Sequence, residues 1–252
     1  MSESLLLPDW PAPANVRAVI STRTGGCSEG RYASLNLGDH VADNPHCVAE
    51  NRARFKQLAQ MPAEPVWLQQ VHGTRVLPID KASRAGQQSD ASVTSVAKVV
   101  CTVMTADCLP LLLCNANGTQ VAAVHAGWRG VCDGILERAV AKFALADQIL
   151  AYLGPAISQS AFEVGPEVRD ALTEADPGAA VFFRPASPGK WLADLAGLAR
   201  LRLQAMGVTR IYGNDSSAAW CTVTQSARFF SHRRDTALLG GSGRLAACIW
   251  RG

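Results

Sequence analysis

The chain has 252 residues, 48% of them apolar, and a formal net charge of +3. That length and composition suit a folded unit with ample core. The charge is too small to argue for binding nucleic acid or a membrane surface.

Taken in order, the opening stretch MSESLLLPDWPAP has an early acid, early prolines and only three consecutive leucines. It reads neither as a signal peptide nor as a membrane span. A first strand is predicted at residues 16–22, running into Arg23 and the turn at Gly25 and Gly26. A small-residue loop then carries Asn36. Asn44 followed by Pro45 caps a helix predicted to about residue 60. Residues 67–71 read as a strand that delivers Gln69, Gln70 and His72 to Gly73, with another strand at 74–79. The polar, small-residue run 81–95 reads as a surface loop. Residues 98–105 are β-branched and apolar, a buried strand ending at Asp107 and Cys108. Pro110 separates it from an apolar run at 111–114, and Asn117-Gly118 turns into a strand at 121–125. A tight turn through Gly127 and Gly130 follows His125, then an amphipathic helix at 131–143. Further strands are predicted at 149–153, 210–212, 227–232 and 245–250, and helices at 167–175 and 194–206. The irregular interleaving predicts an α+β fold with mixed sheets. Eight cysteines with no secretion signal and no C-x-x-C pair read as reduced thiols in a cytoplasmic protein.

Three residues at strand ends, His72, Cys108 and His125, are candidate metal ligands. Two His and one Cys are a catalytic zinc set that leaves a fourth position open. Zinc so held lowers the pKa of water toward ~7. The same residues also suit chemistry without metal, with Cys108 as nucleophile, His125 or His72 as base and Asp107 orienting the base. Arg23, Arg129, Arg233 and Arg234 lie in or near turns, and two of them converging on one pocket would suit phosphate.

The blocks STRTGG at 21–26, SLNLG at 34–38, QQVHG at 69–73 and TADCLPLLL at 105–113 stand in order along the chain. They are followed by HAGWRG at 125–130, LGPAI at 153–157, FFSHRRD at 229–235 and GR at 243–244. Together they resemble the YfiH-like laccase-domain family. Its members are called polyphenol oxidases, purine nucleoside phosphorylases or peptidoglycan editing factors. The resemblance implies one domain over residues 1–252, a four-layer α/β/β/α sandwich with mixed sheets. It implies zinc on His72, Cys108 and His125, with copper able to compete for that N/S set. It also implies phosphorolysis of adenosine, inosine, guanosine and methylthioadenosine, together with adenosine deamination. His232 stands where the family usually has Tyr, and NDSSAAW at 214–220 is atypical.

On this reading the partners are a nucleoside and phosphate, with no nucleic acid and no membrane, while the oligomeric state stays open. Asp107, Cys108 and His125 are the candidate catalytic residues, Asp107 as proton carrier by adjacency. Arg23, Asn36, Gln70, Arg129 and Arg233 are the candidates for binding substrate and phosphate. The deaminase signature H-x-E…P-C-x-x-C is absent, so deamination would run on an unrelated scaffold. Other readings stay open: a cysteine hydrolase or peptidoglycan-precursor quality factor using Cys108, a copper oxidase, or a binding module. Five histidines are too few for a multicopper set.

Overall fold

Strands that are apolar on both faces need a cover on each side, and that requirement organises the computed structural model, which describes residues 4–252. The first three residues, part of the stretch read as no signal peptide, lie outside it. Strands β1 (Leu5–Leu6) and β2 (Val16–Ser21) precede helix α1 (Pro45–Leu58). Five strands follow: β3 (Val76–Pro78), β4 (Ala91–Thr94), β5 (Val100–Thr105), β6 (Leu109–Asn115) and β7 (Val121–Ala126). Helices α2 (Trp128–Asp133) and α3 (Ile135–Val140) lead to β8 (Ile149–Leu153). Then come β9 (Glu163–Val164), α4 (Pro166–Ala175), β10 (Phe183–Pro185), β11 (Trp191–Ala193) and α5 (Leu195–Ala205). Strand β12 (Arg210–Gly213), helix α6 (His232–Leu239) and β13 (Leu245–Arg251) complete the order.

Two main sheets result. One runs β1-β2-β13-β5 and is antiparallel; the other runs β12-β8-β6-β7-β4-β3 and is mixed. Side chains alternate between faces with period two. In β6, Leu112 and Cys114 face Cys101, Val103, Ala247 and Ile249 of the other sheet, while Leu111 and Leu113 pack beneath the helices that follow β7. On the far side of the first sheet, Val19, Val100, Met104 and Cys248 meet Phe55 of α1. The order is helix, sheet, sheet, helices: a four-layer α+β sandwich. Strands β10, β11 and β9 form a small separate sheet. Among the described residues no helix is long and apolar enough to cross a membrane.

Several elements differ from the sequence reading. Residues 67–71 form no strand; only isolated bridges tie Val66 to Cys101 and Gln69 to Gln88. The 81–95 run is not all surface loop, because residues 91–94 are β4, fully covered between β3 and β7. Two of the polar side chains in and beside it are absorbed locally: Ser89 Oγ lies within hydrogen-bond distance of the carbonyls of Arg75 and Ala91, and Thr94 Oγ1 donates to that of Ile79. Pro110 lies inside β6, at the end where pairing with β8 starts only at Leu111, so its missing N–H costs no bond on that side. The helix predicted at 131–143 is two helices, broken at Gly134 with φ of 93°. Residues 227–232 are irregular, and His232 opens α6 instead.

Candidate metal centre and cavity

Three different segments bring the donors together. Strands β6 and β7 pair with Leu109 opposite Ala126 and Pro110 opposite His125, so Cys108, just before β6, lies beside the end of β7. His72 comes from the loop ahead of β3, with left-handed backbone (φ 59°). The Nε2 of His72 is 3.9 Å from the Sγ of Cys108, and the His72 and His125 rings stand edge-on with centroids 4.8 Å apart. Among the described residues this is the one group of three or more His, Cys or carboxylate donors within reach of a single ion. Gly127 keeps the space open, since a Cβ there would lie 3.1 Å from the Cys108 sulfur and 3.2 Å from the His72 ring.

Asp90, fully buried at the start of β4, holds two of the three donors. Its carboxylate accepts from His125 Nδ1 at 2.8 Å, which leaves Nε2 for the cavity. It also accepts from the backbone N–H groups of Val71, His72 and Gly73, fixing the loop that presents His72. The sequence reading missed this residue because it sits inside the run taken for a surface loop. Its signal was an acid directly ahead of the short apolar alternation ASVTS.

The electrostatics single out Cys108. Burial pushes the thiols of Cys101, Cys114 and Cys248 up to about 12. Burial raises Cys108 as well, but His125 and His72 outweigh it and leave its thiol at about 6. Burial lowers His125, yet the Cys108 thiolate and the hydrogen bond to Asp90 raise it to about 9. Without a metal, the two form a thiolate–imidazolium pair.

The donors open onto a cavity of about 420 Å³. Asp107 lines it with φ of 87°; its Oδ1 accepts from Thr222 Oγ1 at 2.5 Å and its Oδ2 from the Arg233 N–H at 2.6 Å. Arg129 lies exposed at the start of α2, its guanidinium 4.4 Å from the Trp128 ring centroid. Arg233 also lines the wall and donates to the Glu163 carbonyl. Gln70 lines it too, but both ends of its amide are tied to the backbone of Met104. Arg23 and Asn36 are not on the wall. Arg23 donates to the carbonyls of Ala33 and Ser226 and stacks on Phe230. Asn36 is buried and accepts from the N–H of Arg244, which does line the cavity. Arg244, His40 and His232 are lining residues that the sequence reading did not select for binding. For Arg244, the GR pair ahead of the last strand was the available signal.

Residues 17–252 match a family model described as multi-copper polyphenol oxidoreductase laccase. The chain is 50% identical to a Shigella flexneri protein named purine nucleoside phosphorylase YfiH, over 98% of each chain. It is 47% identical to a Pseudomonas aeruginosa protein named purine nucleoside phosphorylase PA4543, over 97% of each. Its fold is similar to that of the Neisseria meningitidis protein NMB0706, with a TM-score of 0.91 and 48% identity, covering 98% of this chain and 99% of the other. The fold of YlmD from Geobacillus stearothermophilus is similar to the same degree, TM-score 0.91 at 32% identity, covering 100% of this chain and 97% of the other.

Proposed function

We propose that this chain, which belongs to the multi-copper polyphenol oxidoreductase laccase family, is a zinc-dependent purine nucleoside phosphorylase that also deaminates adenosine. The observation that carries the reading is the His72–Cys108–His125 donor group opening onto a cavity whose wall bears Arg129, Arg233 and Arg244. The names of the relatives supply the nucleoside.

The donors suit zinc: two imidazoles, one thiolate, a carboxylate behind one imidazole, and a glycine where a side chain would intrude. Held by His72, Cys108 and His125, zinc would supply a Lewis acid at the cavity floor; copper competes for the same donors. The chain's own residues do the rest. Arg129 and Arg233 draw phosphate to the cavity, where bidentate guanidinium contacts orient it. Phe162 and Ile157 give the purine an apolar wall. A phosphate oxygen attacks C1′ of the ribose, and the purine leaves with the bonding pair, giving free base and ribose 1-phosphate. Asp107 is the proposed proton carrier. The Thr222 hydroxyl can turn from donor to acceptor, so Oδ1 can take up a proton and keep that contact.

The test is zinc-loaded protein with adenosine, with and without phosphate. Adenine and ribose 1-phosphate are expected only with phosphate, and inosine in either case; inosine, guanosine and methylthioadenosine should also be phosphorolysed. No turnover by fully loaded protein would overturn the reading. Undiminished turnover after metal removal would pass the chemistry to Cys108 as nucleophile, which the thiolate–imidazolium pair favours.

A further inference from the structure

A second pair of sulfurs lies away from the metal centre. Cys27 follows the Gly25-Gly26 turn after β2, and Cys47 sits in the first turn of α1. Each thiol reaches the other's backbone: Cys27 Sγ donates to the Cys47 carbonyl at 3.5 Å, and Cys47 Sγ to the Cys27 carbonyl at 3.5 Å. Both are free thiols and half-buried, so a small reagent can reach them.

One side chain holds both in place. Asn51, fully buried one turn along α1 from Cys47, accepts from the Cys27 N–H at 2.9 Å and from the Cys27 thiol at 3.5 Å. Its amide nitrogen donates to Ser28 Oγ and to the carbonyls of Ser34 and Asn36. The hydrogen bond with Cys27, burial and the nearby acids Asp43 and Glu29 hold the Cys47 thiol above its ordinary value. The thiolate is the form that attacks a disulfide, so exchange at this pair quickens as pH rises. Buried Cys101, Cys114 and Cys248 share none of this access.

We propose that Cys27 and Cys47 are a redox-active dithiol that closes to an intramolecular disulfide in exchange with low-molecular-weight disulfides. One thiolate attacks a sulfur of the small disulfide, which releases one small thiol and leaves a mixed disulfide. The second protein thiolate attacks the protein sulfur of that mixed disulfide, the Cys27–Cys47 bond forms, and the second small thiol departs. The protein loses two electrons and two protons, and the reagent gains them. The segment closed by the new bond carries His40 on the cavity wall and Asn36, which holds the Arg244 N–H. Oxidation therefore ties the cavity wall more tightly to α1.

Zinc-loaded protein is incubated with glutathione disulfide, alkylated and digested with trypsin. The expected product is the peptide of residues 24–31 joined to that of 32–52, lighter by about 2 Da than the sum of the two and separated again by dithiothreitol. Amide exchange across residues 35–43 should slow about threefold or more on oxidation. In Cys27→Ser and Cys47→Ser it should not change. Full alkylation of both residues after oxidation, a stable glutathione adduct on either, or a bond to a different cysteine would each overturn the proposal. The readout is covalent, so it stands or falls apart from the nucleoside reading.

Discussion

Asp90 does the most for the centre at the scale of one side chain, although it is not a donor to it. It turns His125 by Nδ1 and clamps the His72 loop by three N–H groups. Removing its charge acts on two measurable quantities. In metal-free protein the Cys108 thiol lies near 6, below its ordinary value, so its contribution to folding is complete above the unfolded thiol's pKa and is lost as pH falls through about 6. His125 has the opposite sign: raised to about 9, its contribution is complete below the unfolded imidazole's pKa and is lost as pH rises through about 9. The charged pair therefore persists between about 6 and about 9. Alkylation of Cys108 in metal-free protein should be half-maximal near pH 6. In Asp90→Asn the imidazolium loses its counter-charge, so the midpoint should move up by at least one pH unit, on the order of the loss of one charged hydrogen bond. Zinc affinity should fall about 10- to 100-fold, the usual cost of losing the partner behind a ligating histidine. An unmoved midpoint with unchanged zinc affinity would show that the carboxylate is only a loop clamp.

Helix α6 shows what an element adds. Ser231 caps it by accepting from the Arg234 N–H at 3.1 Å, while the Ser231 N–H donates to Asp235 at 3.0 Å. That reciprocal arrangement fixes the first turn, which carries His232 and Arg233 to the cavity and gives the Arg233 N–H to Asp107. Ser231→Ala should cost about 1 kcal/mol of stability, the common value for a lost serine cap. It should also raise the KM for phosphate more than it lowers kcat, because Arg233 loses its seat while the His72–Cys108–His125 group stays put. A change in kcat alone would disconnect α6 from phosphate binding. The sequence hid this helix: FFSHRRD reads as an apolar run entering a basic turn, and the run predicts a strand. Phe229 and Phe230 are indeed fully buried, but in irregular chain. Where a cap opened the run, as at Asn44-Pro45 for α1, the helix was legible to within about two residues, and the 194–206 reading of α5 came equally close.

At the scale of the whole molecule, the strands of the two main sheets were largely readable, since their residues are apolar and bounded by turns. Their order was not. The sequence β12-β8-β6-β7-β4-β3 rests on pairings between distant segments, and β4 was hidden by the Ser and Thr residues in and beside it, of which Ser89 and Thr94 bond to nearby carbonyls. The layers came from family resemblance, the ligand set from residue chemistry, and the Asp90 support from neither. That nonlocal order decides what metal loss does. His72 lies on the loop before β3, Cys108 before β6 and His125 on β7, so an ion on all three binds an edge loop to the middle of the six-stranded sheet. The unfolded chain holds these donors far apart and cannot offer the same site. By mass action, zinc at about 1,000 times its dissociation constant should stabilise the fold by about 4 kcal/mol. For a chain of this size that corresponds to a melting temperature about 8–16 °C higher than after chelation. The gain should vanish in Cys108→Ser, whose metal-free form should melt below metal-free wild type because it lacks the thiolate–imidazolium pair. If both proteins melted alike with and without zinc, the three donors would be neighbours in the fold without being a metal site. If zinc stabilised Cys108→Ser as much as wild type, the ion would sit elsewhere.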